Sequence, residues 1–147
     1  MFQGRNLRRH RISAPGSIYS ITTCTYQRQP LFRNFYLART LINALKYQDG
    51  VGRSYTYAFV VMPDHFHWLF RLECGSLNKV IHSVKSYVAN MRKLKTWQAG
   101  YYEHVLRSES ELFEHSRYIV ANPLRAGLTE DIRNYAHWDA VWLNGGL

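Results

Sequence analysis

His65 and His67 stand one residue apart in the stretch VVMPDHFHWLF, residues 60–70. After the Pro63-Asp64 turn signal, Phe66, Trp68, Phe70 and Leu72 are large and apolar, while His65, His67 and Arg71 are polar. Leu69 is the exception. That period of two is a strand with an aromatic core face and a second face carrying both imidazoles. At about 3.3 Å rise per residue, their Cβ atoms lie roughly 6.5–7 Å apart. Two imidazoles at that spacing can converge on one divalent cation, or they can simply fill a polar sheet face.

A second group lies downstream. On a helical wheel, Leu112, Phe113, Ser116, Ile119 and Val120 form one apolar arc, and Glu111, His115, Tyr118 and Asn122 gather on nearly the opposite side. Tyr118 is therefore not placed like a core tyrosine. Asn122 follows it by one turn, although its position before Pro123 biases it away from helical geometry.

The elements that must position these groups can be read from the pattern. The segment SIYSITTCTY reads as a strand, and a helix follows with Asn34 as N-cap and Leu37, Ala38, Leu41, Ile42 and Leu45 inside. SYTYAFVVM is a second strand, joined to the histidine strand as a hairpin. Ser76 opens a long helix whose expected apolar stripe is Leu77, Val80, Ile81, Val84, Tyr87, Val88, Met91 and Leu94. YYEHVLR is a fourth strand, and Ser108 with Glu111 forms a capping box before the tyrosine helix. The order β-α-β-β-α-β plus a C-terminal tyrosine-bearing helix is an α+β fold with a ferredoxin-like antiparallel sheet.

With 147 residues, 46% hydrophobic and 15% aromatic, the chain suits one folded domain. We expect a basic N-terminal arm over residues 1–16 and a single catalytic domain over 17–147. No apolar run is long enough to span a membrane, the first residues lack a secretory apolar stretch, and Cys24 and Cys74 are isolated. A cytoplasmic, reducing location is the expectation. The net charge of +9 points to a polyanionic partner. Arg5, Arg8, Arg9 and Arg11 crowd the arm, and Lys79, Lys85, Arg92, Lys93 and Lys95 crowd the long helix and its end. These nine are the candidate DNA-backbone contacts.

Taken together, MPDHFHWLF and the downstream RYIVANPLRAGL resemble the HUH transposases of the single-tyrosine class, and most of all the bacterial REP-associated tyrosine transposases. The resemblance runs from about Ser17 to Trp142 and includes WQAGYYEHVLR and the tail WDAVWL. It implies that His65, His67 and Asn122 are metal ligands for Mg²⁺ or Mn²⁺ and that Tyr118 is the nucleophile. The implied activity is that of a metal-dependent single-strand DNA endonuclease and strand transferase acting in DNA transposition and recombination. It would cleave and rejoin DNA at REP-type hairpins through a 5′-phosphotyrosine intermediate, as a monomer or a homodimer. Two other readings share parts of the pattern: a non-catalytic hairpin-binding module, and a water-using metal-dependent nuclease. What would activate Tyr118 is left open among His115, His104, Glu103, metal proximity and a DNA-bound water.

Overall fold

The computed structural model describes residues 13–140. The arm residues Arg5, Arg8, Arg9 and Arg11, and the end of WDAVWL, lie outside the described residues. The strands are β1 (Ile18–Cys24), β2 (Ser54–Met62), β3 (His65–Leu72), β4 (Tyr102–Leu106) and β5 (Trp138–Ala140). The helices are α1 (Phe35–Gly50), α2 (Leu77–Arg92), α3 (Glu109–Val120) and the single turn α4 (Asn122–Arg125). The sheet order is β4-β1-β3-β2-β5, antiparallel at every pairing. This is the ferredoxin-like arrangement with one added strand, because β5 extends the sheet along β2.

β3 runs through the middle and decides how the two faces divide. Phe66, Trp68, Phe70 and Leu72 pack into the larger core with Ala38, Leu41, Ile42 and Leu45 of α1 and with Leu77, Val80, Ile81, Val84 and Val88 of α2. The buried Trp68 indole is satisfied by Thr56 Oγ1 at 2.9 Å, beside a register shift in β2 between Thr56 and Ala58. The opposite face has its own smaller core. Leu69 meets Val60, Met62, Leu106, Leu112 and Ile119 there. Leu69 breaks the expected polar alternation because this second face is covered over part of its area by α3, which packs on β2 and β5.

Local chemistry sets the helix boundaries. Asn34 Oδ1 accepts from the backbone N–H groups of Tyr36 and Leu37, Ser76 Oγ from that of Lys79, and Ser108 Oγ from that of Glu111. The return bond of the last cap differs from the expected box, since Glu111 Oε1 accepts from Arg107 N rather than from Ser108 N. The apolar stripe expected of α2 ends early. Tyr87 and Met91 are exposed, Met91 by 60%, although Val88 between them is fully buried, and Leu94 lies past the helix, whose C-cap is Lys93.

If the second face carries a real core, Leu69→Ala should cost about 2–5 kcal/mol, the range for truncating a buried leucine. Met91→Ala should stay within about 0.5 kcal/mol, as for an exposed position. Urea denaturation of both variants checks the contrast, and equal costs would contradict it.

Candidate active site

His65 and His67 emerge together on the second face, their ring centroids 4.9 Å apart and their planes steeply inclined. Pairing with β1 sets Thr22 opposite His67 and Cys24 opposite His65. His67 Nδ1 lies 2.8 Å from Thr22 Oγ1, and His67 Nε2 lies 2.7 Å from Asn122 Nδ2. An amide nitrogen can only donate, so Nε2 accepts and the ring proton sits on Nδ1, donated to Thr22. Burial, reinforced by the charges of His65, His115 and Arg125, pushes the His67 pKa down to about 3. His67 is thus a neutral imidazole whose Nε2 lone pair is directed into the site.

His65 is oriented from the turn that precedes it. Its Nδ1–H donates to Asp64 Oδ1 at 2.7 Å, which in the neutral ring leaves Nε2 as the open lone pair. Asp64 also receives Arg28 Nε at 3.0 Å. Burial alone would raise the Asp64 pKa, but hydrogen bonds from His65 and Arg28 outweigh it and the carboxyl sits below its ordinary value. A carboxylate that fixes the tautomer of an imidazole is the usual companion of a histidine metal ligand. Asp64 was readable in the sequence only as a turn residue.

Asn122 reaches His67 because α3 does not continue through it. Ala121 separates α3 from the short turn α4, which begins at Asn122 with Pro123 buried behind it. Against the bias expected before proline, Asn122 is itself helical, the first residue of the new turn, and Ala121 before it is also in the right-handed helical region. Rotation about its terminal bond exchanges Nδ2 for Oδ1 beside His67 Nε2. The donor set is then two imidazole nitrogens and one amide oxygen, which fits a divalent cation that fills its remaining positions with phosphate or water. Among the described residues no three or more His, Cys, Asp or Glu side chains gather as a metal cluster.

Tyr118 is 60% exposed on α3. The guanidinium carbon of Arg125 lies 3.8 Å from its ring centroid, and the His115 ring lies 6.5 Å from it. His115 and Arg125 are also, after burial and His65, the charges that lower the His67 pKa. His115 Nε2 is 2.6 Å from Ser20 Oγ of β1, tying α3 to the sheet. Its pKa is lowered by burial and by His104, with Glu111 opposing. His104 pairs with Glu111 at 3.3 Å, and Glu103 is buried.

The expected backbone contacts on α2 are placed elsewhere. α2 covers the first face of the sheet, opposite the imidazoles. Lys85 Nζ donates to the Gln98 and Gly100 carbonyls, Arg92 donates to the Lys95 carbonyl, and Lys95 Nζ lies 4.6 Å from the Tyr26 ring centroid. Lys79 and Lys93 are exposed at opposite ends of α2. None of these five is brought to His65, His67, Asn122 or Tyr118. The cations that the structure does bring there are Arg28 and Arg125, which spacing alone did not single out. Arg125 lies within the motif RYIVANPLRAGL, three residues past Asn122.

No family model matches the chain. An Escherichia coli REP-associated tyrosine transposase is 27% identical over 81 residues, covering 53% of this chain and 49% of that protein. A Haemophilus influenzae protein provisionally given the same name is 25% identical over 99 residues, covering 56% of each chain. Among solved structures, a REP-associated tyrosine transposase bound to a REP hairpin superposes with a TM-score of 0.77 at 22% identity, covering 88% of this chain and 79% of that one. This chain is similar in sequence to REP-associated tyrosine transposases over about half its length. It spans about half the length of the curated relatives it matches, while the fold likeness covers most of the described structure. No helix among the described residues is long and apolar enough to cross a membrane.

The depressed His67 pKa has a stability consequence. Because it is lowered from an ordinary value of about 6.5, the folded state prefers the neutral ring. That contribution is fully present above about pH 6.5 and drains away as pH falls towards 3. Melting temperature should hold level at neutral pH and fall on acidification, and His67→Gln should flatten part of the fall. Thermal melts at stepped pH check this; an acid limb identical in the two proteins would contradict it.

Proposed function

We propose that this chain is a single-strand DNA strand transferase that cleaves and rejoins DNA beside hairpins of the REP type, through a tyrosine-linked intermediate. The observation that carries the reading is the contact between Asn122 and His67. It folds the segment following the tyrosine helix onto the histidine strand, so that two imidazoles, an amide and an exposed tyrosine meet in one chain. Kinship with the transposases named above, and with one solved on a REP hairpin, supports the substrate class.

Each residue then has a task. His65, His67 and Asn122 would hold Mg²⁺ or Mn²⁺, which when bound would supply Lewis-acid polarisation of the scissile phosphate. Asp64 and Thr22 keep the two rings in the tautomers that present Nε2. Tyr118 Oη attacks phosphorus, forming the Oη–P bond as the P–O3′ bond breaks. The phenol proton passes to solvent or a nearby base, and the departing 3′-oxygen takes up a proton. The tyrosine ester conserves the energy of the broken phosphodiester, so attack by another 3′-hydroxyl reverses the chemistry and frees Tyr118. No nucleotide-hydrolysing loop is required, and the sequence contains no G-x-x-x-x-G-K-[ST] motif. Net positive charge favours the polyanionic strand whichever cations contact it.

Incubation with labelled single-stranded hairpin DNA and Mn²⁺, followed by a denaturing gel, tests the reading. Wild type should yield a protein–DNA adduct that EDTA abolishes. Tyr118→Phe should lower adduct yield by about three orders of magnitude or more, since it deletes the nucleophile and keeps the ring, and hairpin affinity should be preserved. Adduct of undiminished yield would move the nucleophile to another residue. Strand cleavage without adduct would favour a water-using nuclease, and binding without cleavage a hairpin-binding module.

His67→Ala should remove most cleavage and weaken Mn²⁺ binding in calorimetry. Its fold should persist, because Phe66, Trp68 and Phe70 carry the packing of β3. Normal cleavage by His67→Ala would return the two histidines to a polar sheet face.

A further inference from the structure

Tyr118 poses a positioning problem. A nucleophile must be held near one orientation for in-line attack, yet this side chain is 60% exposed at the last turn of a helix. The structure supplies a planar cation for it. The Arg125 guanidinium carbon lies 3.8 Å from the ring centroid, within stacking distance.

We propose that Arg125 is the positioning residue for the nucleophile: stacked on the Tyr118 ring, its guanidinium fixes the phenol's orientation towards the His65–His67 pair. The inference rests on the strand-transfer reading above. Three observations carry it beyond the distance itself. First, on an unbroken helix, residues seven apart are displaced by about 10.5 Å along the axis, beyond the usual contact of neighbouring turns. Seven residues is nearly two full turns, so Arg125 falls on the Tyr118 face, and its long side chain reaches the ring across that gap.

Second, that turn is anchored and is not a loose tail. Pro123 is buried, Arg125 N bonds Ala121 O at 3.1 Å, and Leu128 N bonds Pro123 O at 2.9 Å. The base from which Arg125 reaches is therefore defined. The same turn carries Asn122 onto His67, so one short element sets both the amide and the clamp on the phenol. Third, the charge of Arg125 also lowers the His67 pKa, the smallest of the causes acting on that ring.

The chemistry asks for arginine in particular. A flat, delocalised, permanently charged group can stack on a ring and still offer N–H donors at its edge, whereas lysine brings a point charge on a flexible stem. Arg125 exchanges no proton in the step. It holds the ring while the Oη–P bond forms and the P–O3′ bond breaks. Loss of such alignment is costly, because a displacement near 1 Å can slow a bound reaction about 100-fold.

The test compares wild type, Arg125→Ala and Arg125→Lys at saturating hairpin DNA with Mn²⁺, following single-turnover adduct formation. Arg125→Ala should slow the bound step by roughly 10- to 100-fold with unchanged hairpin affinity and melting temperature, and Arg125→Lys should recover only part of the rate. A second readout needs no DNA. The ring resonances of Tyr118, assigned by their loss in Tyr118→Phe, should move in Arg125→Ala as the stacked cation is removed. A wild-type rate in Arg125→Ala, or unmoved Tyr118 resonances, would overturn the proposal. So would a defect confined to hairpin affinity, which would make Arg125 a DNA contact. A wild type that forms no adduct overturns the strand-transfer reading instead, and the ring resonances then decide separately whether Arg125 holds the tyrosine.

Discussion

The register of β3 between β1 and β2 is the constraint on which the rest of this molecule depends. Because side chains alternate along a strand, a slip of one residue would drive two imidazoles into the core under α1 and α2 and expel Trp68 and Phe70. Burial of Phe66, Trp68, Phe70 and Leu72 against those helices holds the register, and both histidines follow onto the opposite face. The hydrophobic core thus does more than stabilise the domain. It determines where the only closely paired imidazoles on β3 can point.

The second face is divided in turn. Over β2 it is sealed by Leu112 and Ile119 of α3 against Val60, Met62 and Leu69. Towards β1 it stays polar, with Ser20 bonded to His115 and Thr22 to His67. Two hydrogen bonds therefore fix the tyrosine segment to the histidine sheet, Ser20 with His115 from α3 and His67 with Asn122 from α4. Between them lies Tyr118. The low dielectric beneath α3 keeps His67 neutral, so the face that seats the helix also leaves the ring free to coordinate.

Much of this was legible in the sequence, for identifiable reasons. Period-two alternation revealed the two faces of β3, capping residues marked Asn34, Ser76 and Ser108, and the connection pattern led to the sheet order. What escaped the sequence depends on tertiary placement. β5 is three residues long and exists by pairing with β2, so it has no local period to read. Leu69 is buried in the core that Leu112 and Ile119 of α3 complete, and Leu94 is exposed because α2 ends before it. The cations of α2 stand on a helix that covers the sheet face opposite the imidazoles, a placement no linear pattern shows. Arg125 falls close to Tyr118 on the wheel, but the wheel cannot show that its guanidinium carbon comes 3.8 Å from the ring centroid.

The central claim is that His65, His67, Asn122 and Tyr118 form one site in a single chain, with a cation between the imidazoles and the amide. Titration of isotope-labelled protein with Mn²⁺ tests it most directly, since the paramagnetic ion broadens nuclei by proximity. The account predicts that the His65 and His67 ring signals and the Asn122 side-chain amide broaden together at the first additions, Tyr118 close behind, while α2 signals stay sharp. Broadening that spares His67 or Asn122, or that appears first at another part of the surface, would contradict it.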